Sequence, residues 1–360
     1  MRSMIEGCKA YITPQPSNFS KKAFNNHREA SKLVFPIDLM TVEEEVNKPK
    51  NQDTHLVFEY KKGDTILGYT APRSNRFYFV HDPNGSVLQQ MTDYHMLLDQ
   101  IDSKDKPYRH MFGGFQLLQK LEQEEAETLY QEMRDVWLDT KDSKGPEGQE
   151  HMYHVEFGHF SSIGHFSLFE KYAVRNADSL GLNEVELQTI VEFWNNDLED
   201  INEEKSTQPE LGAVIKMTQE LFKVAKSKEL PLSRVHLHPY GSFLMCYDTA
   251  KWQEAETALI KSSMTLLKYC LRDNENNVPE GWELTEDVFR VTQLPRKIDL
   301  DGIGKEPIEV TQDSLVYGFD LNDEGIHCDL QFATRCEKLF KTAGMGDTIS
   351  GTGFIYHQPK

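Results

Sequence analysis

An α/β fold, with a mostly parallel, doubly wound sheet flanked by helices, is the architecture the sequence predicts. From about residue 86 onward, short apolar strand segments alternate with amphipathic helix segments over about 270 residues. Polar and glycine-rich turns separate those segments. The 360 residues, 38% of them hydrophobic, suffice for one large core or two unequal ones. No internal repeat or low-complexity tract is present.

Residues 1–53 are weakly patterned, with Pro14, Pro16, Asn25, Asn26 and a charged stretch at 42–52. A strand is expected at His55–Tyr60, turned by Lys62-Gly63-Asp64, and another at Arg76–Val80, closed by Asp82-Pro83-Asn84-Gly85. These define a small β-rich piece, 54–85, ahead of a large α/β domain, 86–360. In that domain Gln90–Gln100 reads as a helix, and Gly113-Gly114 leads into an amphipathic helix at Leu118–Val136. After a polar linker at 139–150 come a strand at 151–157, a helix through the 160s and another opening at Glu184. A charged loop precedes the helix Glu210–Lys226; a short strand at Arg234–Leu237 and a helix at Lys251–Arg272 follow. Strands at Ser314–Phe319 and Cys328–Phe332 precede a glycine-rich turn into a terminal helix.

The charge balance narrows the partners. With 39 basic and 58 acidic residues the formal net charge is −19. Such a surface repels nucleic acid and anionic lipid, and no basic run is longer than Lys48-Pro49-Lys50. A nucleotide site on this chain must draw positive potential from a divalent metal or from backbone amides. The five cysteines lack a CxxC pair, so neither structural zinc nor a disulfide framework is expected. No run approaches the roughly 18 apolar residues of a membrane span, and the N-terminus lacks a secretory apolar core. As it stands the chain reads as a cytoplasmic monomer, with an endoplasmic reticulum or secretory location as the alternative should a targeting segment precede it.

In doubly wound folds ligands bind beyond the carboxyl ends of the strands, and four loops there carry chemistry. In the first, Phe340–Phe354, the amides of Gly344, Met345 and Gly346 open a helix, where backbone donors and the helix dipole favour an anion. Asp347 stands at that opening as a general base or as an ordinary N-cap. The small residues Ser350-Gly351-Thr352-Gly353 would permit close packing on a ligand. The second is His154-Val155-Glu156, where Glu156 is placed to hold Mg²⁺ directly or through water and His154 reads as an orienting or core residue. His151, His159 and His165 do not share a helical face that would make a zinc site. The third is Asn183–Glu186, either a capping box or a second magnesium-organising carboxylate at Glu186. The fourth is Arg234–Gly241, with His236 and His238 on one strand face and Pro239-Tyr240-Gly241 as a turn whose aromatic could stack on a base.

Taken in this order, SLGLNEVEL, RVHLHPYG, TAGMGDTISGTGF, HVEF, HLVFEY and APRSNRF resemble signature segments of the ADP-dependent sugar kinases, the glucokinase and phosphofructokinase branch of the ribokinase superfamily. The resemblance runs from about residue 54 to 360. It implies a ribokinase-like sheet with a partial β lid, and phosphoryl transfer from ADP to a hexose, with AMP as product. Asp347 would be the base and the amides at 344–346 the anion hole. Mg²⁺ would be organised by Glu156 and Glu186 with Asp347 nearby. Arg335, next to Thr334, would clamp phosphate; His238, Tyr240 and Gly241 would lie on the nucleotide side, and Asn75 and Arg76 near the sugar. The family's opening strand with its Asn/Asp sugar motif, and its paired-glycine loop, find no counterpart in the first 50 or so residues. That implies an absent or replaced first strand and a weakened sugar half.

Overall fold

The computed structural model describes residues 10–11, 33–34, 54–60, 63, 65–66, 68–70, 75–81, 108–142, 148–195, 209–239, 241–253, 255–270, 289–291, 297–311, 314–321, 325–336 and 345–360. The chain divides into two compact units, Met1–Ser103 and Lys104–Lys360.

In the first unit Thr54–Tyr60 pairs antiparallel with Asn75–His81. The first begins one residue before the expected strand, and the second extends the expected one by a residue at each end. Ala10–Tyr11 pairs in parallel with Leu33–Val34, inside the segment that showed little pattern. The expected helix Gln90–Gln100 lies outside the described residues.

The second unit is built on a seven-stranded sheet. Its strands are β1 (Arg109–Phe112), β2 (Met152–Glu156), β3 (Ser179–Leu182), β4 (Arg234–Leu237), β5 (Ser242–Asp248), β6 (Tyr317–Asp320) and β7 (Ile326–Phe332), in the spatial order β6-β7-β5-β4-β3-β2-β1. β1 to β4 are mutually parallel, while β5 is antiparallel to β4 and to β7, and β7 to β6. Five strands, β1 to β4 and β7, therefore run the same way, as a mostly parallel sheet requires. Its helices are α1 (Gln123–Lys141), α2 (Ile163–Tyr172), α3 (Glu184–Trp194), α4 (Leu211–Ser227), α5 (Ala255–Cys270) and α6 (Met345–Tyr356).

α1 buries Ala126, Leu129, Tyr130, Met133, Val136 and Trp137, a stripe at helical spacing. It begins later than the apolar pattern suggested, because Phe115–Lys120 forms a separate 3₁₀ turn. Gly114, at φ 84°, swings the chain into that turn, and Gln119 holds the break open by accepting from the backbone of Ser161 and donating to His159 O. On the sheet face covered by α5 and α6, Phe243, Met245, Tyr247, Trp252, Ala258, Leu259, Ile349 and Phe354 form one apolar cluster.

Two features correct the sequence reading. Ser242–Asp248, assigned no element, is a strand whose first six residues are buried. Cys246 and Cys328, directly opposed on β5 and β7, form a disulfide with both side chains buried, although none was expected. Strand register, which cysteine spacing does not encode, brings them together. Among the described residues no helix is long and apolar enough to cross a membrane.

Candidate active site

The carboxyl ends of β1, β2, β3 and β4 and the N-terminus of α6 converge on one place. Gly113, just past β1, lies between Asp347 Oδ1 and the Glu156 Cβ, each 3.5 Å from where a Gly113 Cβ would stand. Glu156 ends β2 and is buried. Its Oε1 meets His238 Nε2 at 3.1 Å, and its Oε2 accepts a short hydrogen bond from Ser350 Oγ on α6. His154 Nε2 faces the same Oε2 at 3.6 Å, close enough for electrostatic attraction but not for a hydrogen bond. Burial pushes the Glu156 carboxyl up, yet His154 and His238 outweigh it and hold the group well below the usual carboxylate range.

α6 reaches this polar floor because its inner face is small. A Cβ on Gly346 would lie 3.0 Å from His238 Cε1, and one on Gly353 would lie 2.6 Å from His236 Nδ1. On β3, a Cβ at Gly181 would collide with Glu156 Oε2 and Ser350. Gly346 and Gly353 thus admit the sheet, a role the sequence reading, which had them admit a ligand, did not include. Asp347 sits in the helix's first turn and is exposed to solvent. The N–H groups of that turn have no acceptor within the helix, so the site offers an acid beside a set of donors. Partial desolvation and the charge of Glu156 raise the Asp347 carboxyl, against a pull from His238.

Asn183 and Glu186 form a complete capping box at the start of α3: the Asn183 side chain accepts from Val185 N and Glu186 N, and Glu186 Oε2 accepts from Asn183 N at 2.9 Å. The cap employs one Glu186 oxygen. Burial pushes this carboxyl to about 7, with the negative charges of Glu156 and Asp347 adding to the shift and His238 opposing it. Both readings of Glu186 are therefore physically compatible: it caps α3 and contributes to a carboxylate group with excess negative charge.

The lower end of α6 is held as firmly as its upper end. Arg109 Nη1 donates to the carbonyls of Phe354 and Ile355, the favourable place for a cation at a helix C-terminus. Arg234, fully buried on β4, donates to His357 Nδ1 at 3.0 Å and to Ser179 Oγ at 2.7 Å. Burial pulls the Arg234 guanidinium down to about 9, the nearby charge of Arg109 in the same direction, so it stays charged near neutrality.

The structure thus brings together Glu156, Glu186, His238, Met345, Gly346 and Asp347. Gly241, at φ 85°, makes the turn from β4 into β5, while Tyr240 and Gly344 lie outside the described residues. Arg335 lies on a strand, Thr334–Cys336, opposite Arg290; Asn75 and Arg76 open the strand Asn75–His81, opposite Tyr60 and Glu59. The side chains of these three residues lie outside the description. Ser350, Gly113 and Arg234 were not singled out from sequence. Only tertiary packing reveals the first two, and nothing local signals that an arginine will be buried. Among the described residues no group of three or more His, Cys, Asp or Glu could by itself hold a metal ion.

Comparison with known proteins identifies the family and the fold. Over residues 1–356 the chain matches the family described as ADP-specific phosphofructokinase/glucokinase conserved region. The match begins at residue 1, so it includes the segment 1–53 that the motif resemblance left out. The chain is 24% identical over 314 residues to the ADP-dependent glucose/glucosamine kinase of Pyrococcus furiosus, covering 84% of this chain and 60% of that protein. It is 22% identical over 314 residues to the ADP-dependent glucokinase of Bos taurus, covering 84% and 58%. It therefore spans about three fifths of the length of these relatives. Its fold is similar to that of an ADP-dependent kinase solved in complex with fructose-6-phosphate and ADPbetaS (TM-score 0.61, 18% identity, 93% of this chain and 73% of that one). It is also similar to the last common ancestor of ADP-dependent phosphofructokinases from Methanosarcinales (TM-score 0.54, 17% identity, 86% and 63%). Because that family's conserved region matches all but the last four residues, the chain belongs to the ADP-specific phosphofructokinase/glucokinase family.

Proposed function

We propose that the chain transfers the β-phosphoryl group of ADP to the 6-hydroxyl of glucose, giving glucose 6-phosphate and AMP. The observation that carries the reading is Asp347 standing in the first turn of α6, exposed, beside Glu156 and Gly113. In this role Asp347 accepts the hydroxyl proton as the nucleophile forms, and the first-turn amides of α6 receive the negative charge of the transferred group. His238 and His154 hold Glu156 ionised, and the hydrogen bonds from His238 and Ser350 hold it in place.

The donor set suits Mg²⁺ bound largely through water. Glu156, Glu186 and Asp347 are oxygen donors whose mutual repulsion a divalent cation relieves, and Mg²⁺ commonly binds through one or two carboxylates while keeping several waters. When bound it neutralises charge on the transferred phosphoryl. Arg335 is proposed as a phosphate clamp, His238, Tyr240 and Gly241 as the nucleotide side, and Asn75 and Arg76 as sugar contacts. The buried Cys246–Cys328 bridge favours an oxidising compartment, such as the endoplasmic reticulum lumen, over the cytoplasm.

Likeness to a structure holding fructose-6-phosphate keeps 6-phosphofructokinase activity as the second reading. A coupled assay with glucose and fructose 6-phosphate as acceptors decides between them. Asp347→Ala should lower turnover by about 10²- to 10⁴-fold while calorimetric ADP binding persists. Nearly unchanged turnover in the purified variant refutes Asp347 as the base. A wild-type chain that binds ADP without turning over either sugar is a nucleotide-binding module.

A further inference from the structure

Arg234 is the buried cation whose role the reaction does not explain. It is fully enclosed on β4, its ring neighbours being Trp252 and Phe354. Its hydrogen bonds go to Ser179 Oγ, His357 Nδ1 and, more weakly, Met245 Sδ, none of them anionic. A buried charge without a local counterion is costly, so where its field is used matters.

The path leads toward Glu156. Ser179 Oγ, which accepts from Arg234, lies 2.8 Å from His154 Nδ1, and His154 Nε2 faces Glu156 Oε2 at 3.6 Å. Strand register places these groups side by side: Ser179 on β3 is flanked by His154 on β2 and Arg234 on β4. A guanidinium can only donate, so Ser179 must accept from it. The Ser179 hydroxyl proton then finds its acceptor in His154 Nδ1, which places the His154 proton on Nε2, facing the carboxylate. The opposite polarity would leave the Ser179 proton without an acceptor and turn an imidazole lone pair toward Glu156. The second requirement therefore selects the same tautomer as the first.

We propose that Arg234 and Ser179 are positioning residues for Glu156, forming with His154 a one-way donor chain across three strands that fixes the His154 tautomer and aims its N–H at the active-site carboxylate. The inference rests on Glu156 being an active-site carboxylate, but the tautomer is a property of the chain itself. The positive end of the chain lies below the sheet's carboxyl edge, so its effect on the reacting groups passes through His154 and Glu156.

The test uses the full chain labelled with ¹⁵N at the histidine rings. The His154 signals are identified by their loss in His154→Gln and read by two-bond proton–nitrogen correlation. In the wild type, His154 should show a protonated Nε2 and an unprotonated Nδ1. In Ser179→Ala that preference should weaken, with signal appearing from the Nδ1-protonated form. Turnover should fall about 10- to 100-fold, as for partners that orient a ligand from outside the first contact layer, with the KM for the hexose within about twofold. Arg234→Lys, which keeps a donor and a charge, should retain more of the wild-type tautomer than Arg234→Met. If the Arg234 variants do not fold, Ser179→Ala decides alone. A wild-type His154 protonated on Nδ1, or His154 ring signals unchanged in folded Ser179→Ala, overturns the proposal. A wild-type chain without turnover removes the proposed function and leaves the ring-nitrogen result to decide the donor chain.

Discussion

Replacing Gly353 by alanine sets two opposed effects against each other at one site. Gly353 lies inside α6, where alanine is favoured over glycine by about 1 kcal/mol through backbone entropy. Against that, the new Cβ would stand 2.6 Å from His236 Nδ1, 2.7 Å from its Cε1 and 3.0 Å from Ser262 Oγ. His236 is fully buried on a central strand and has no room to retreat. Overpacking of this kind costs about 1–3 kcal/mol, so the net expectation is a loss of up to about 2 kcal/mol. Gly351, two residues earlier, supplies the control. A Cβ there meets only the Sδ and Cε of Met111, the far end of a flexible and exposed side chain. Gly351→Ala should therefore be neutral or stabilising by up to about 1 kcal/mol. Urea unfolding of the two variants, with equal m-values confirming a common transition, reads the difference directly. If Gly353→Ala proves as stable as Gly351→Ala, α6 does not sit as close to the sheet as described, and the explanation of its glycines fails.

Other predictions address separate parts of the molecule. Glutamine serves a capping box as well as glutamate, so Glu186→Gln should leave thermal stability within about 0.5 kcal/mol while raising the Mg²⁺ concentration needed for half-maximal turnover. An unchanged magnesium titration would reduce Glu186 to a cap. The Cys246–Cys328 bridge closes a sequence separation of 82 residues, worth about 4 kcal/mol in the chain-entropy account. Denaturing the protein under reducing conditions should lower its urea midpoint accordingly, and thiol labelling of the denatured, unreduced protein should miss both cysteines. His327 lies between Asp329 and Asp320, which push its pKa to about 9. Because the folded value lies above the unfolded 6.5, this stabilisation is complete below pH 6.5 and fades as pH rises through 9. His327→Gln should flatten the fall in melting temperature across that window; an identical slope in wild type and variant would contradict the assignment.

What could be read from the sequence was what local chemistry encodes. The capping box at Asn183–Glu186 needs only residues three apart. The parallel strands β2 and β4 and the helices near them carry ordinary apolar patterns. β5 was invisible because SFLMCYD is buried on both faces, and its apolar and polar residues do not alternate. The disulfide depends on two strands far apart in sequence lying in register. Asp347 and Glu156 could be named from their loops. Their neighbours Ser350, Gly113 and Gly181 could not, since each acts only by standing where another element leaves room. Arg234 is the hardest case: a charged residue reads as surface, and only the enclosing Trp252, Phe354 and Ser179 show otherwise.

The anchoring of α6 at both ends bears on how the protein is made. Every strand of the large sheet precedes α6 in the chain, and the strand pair that ties Trp252–Gln253 to Gln358–Pro359 closes after it. Until α6 arrives, the nascent sheet must present Arg234, His236 and His154 to water rather than to a packed neighbour. The first turn of α6, with Asp347, is then placed in the same docking event that seals this face, so Asp347 and Glu156 come together only once the fold is complete.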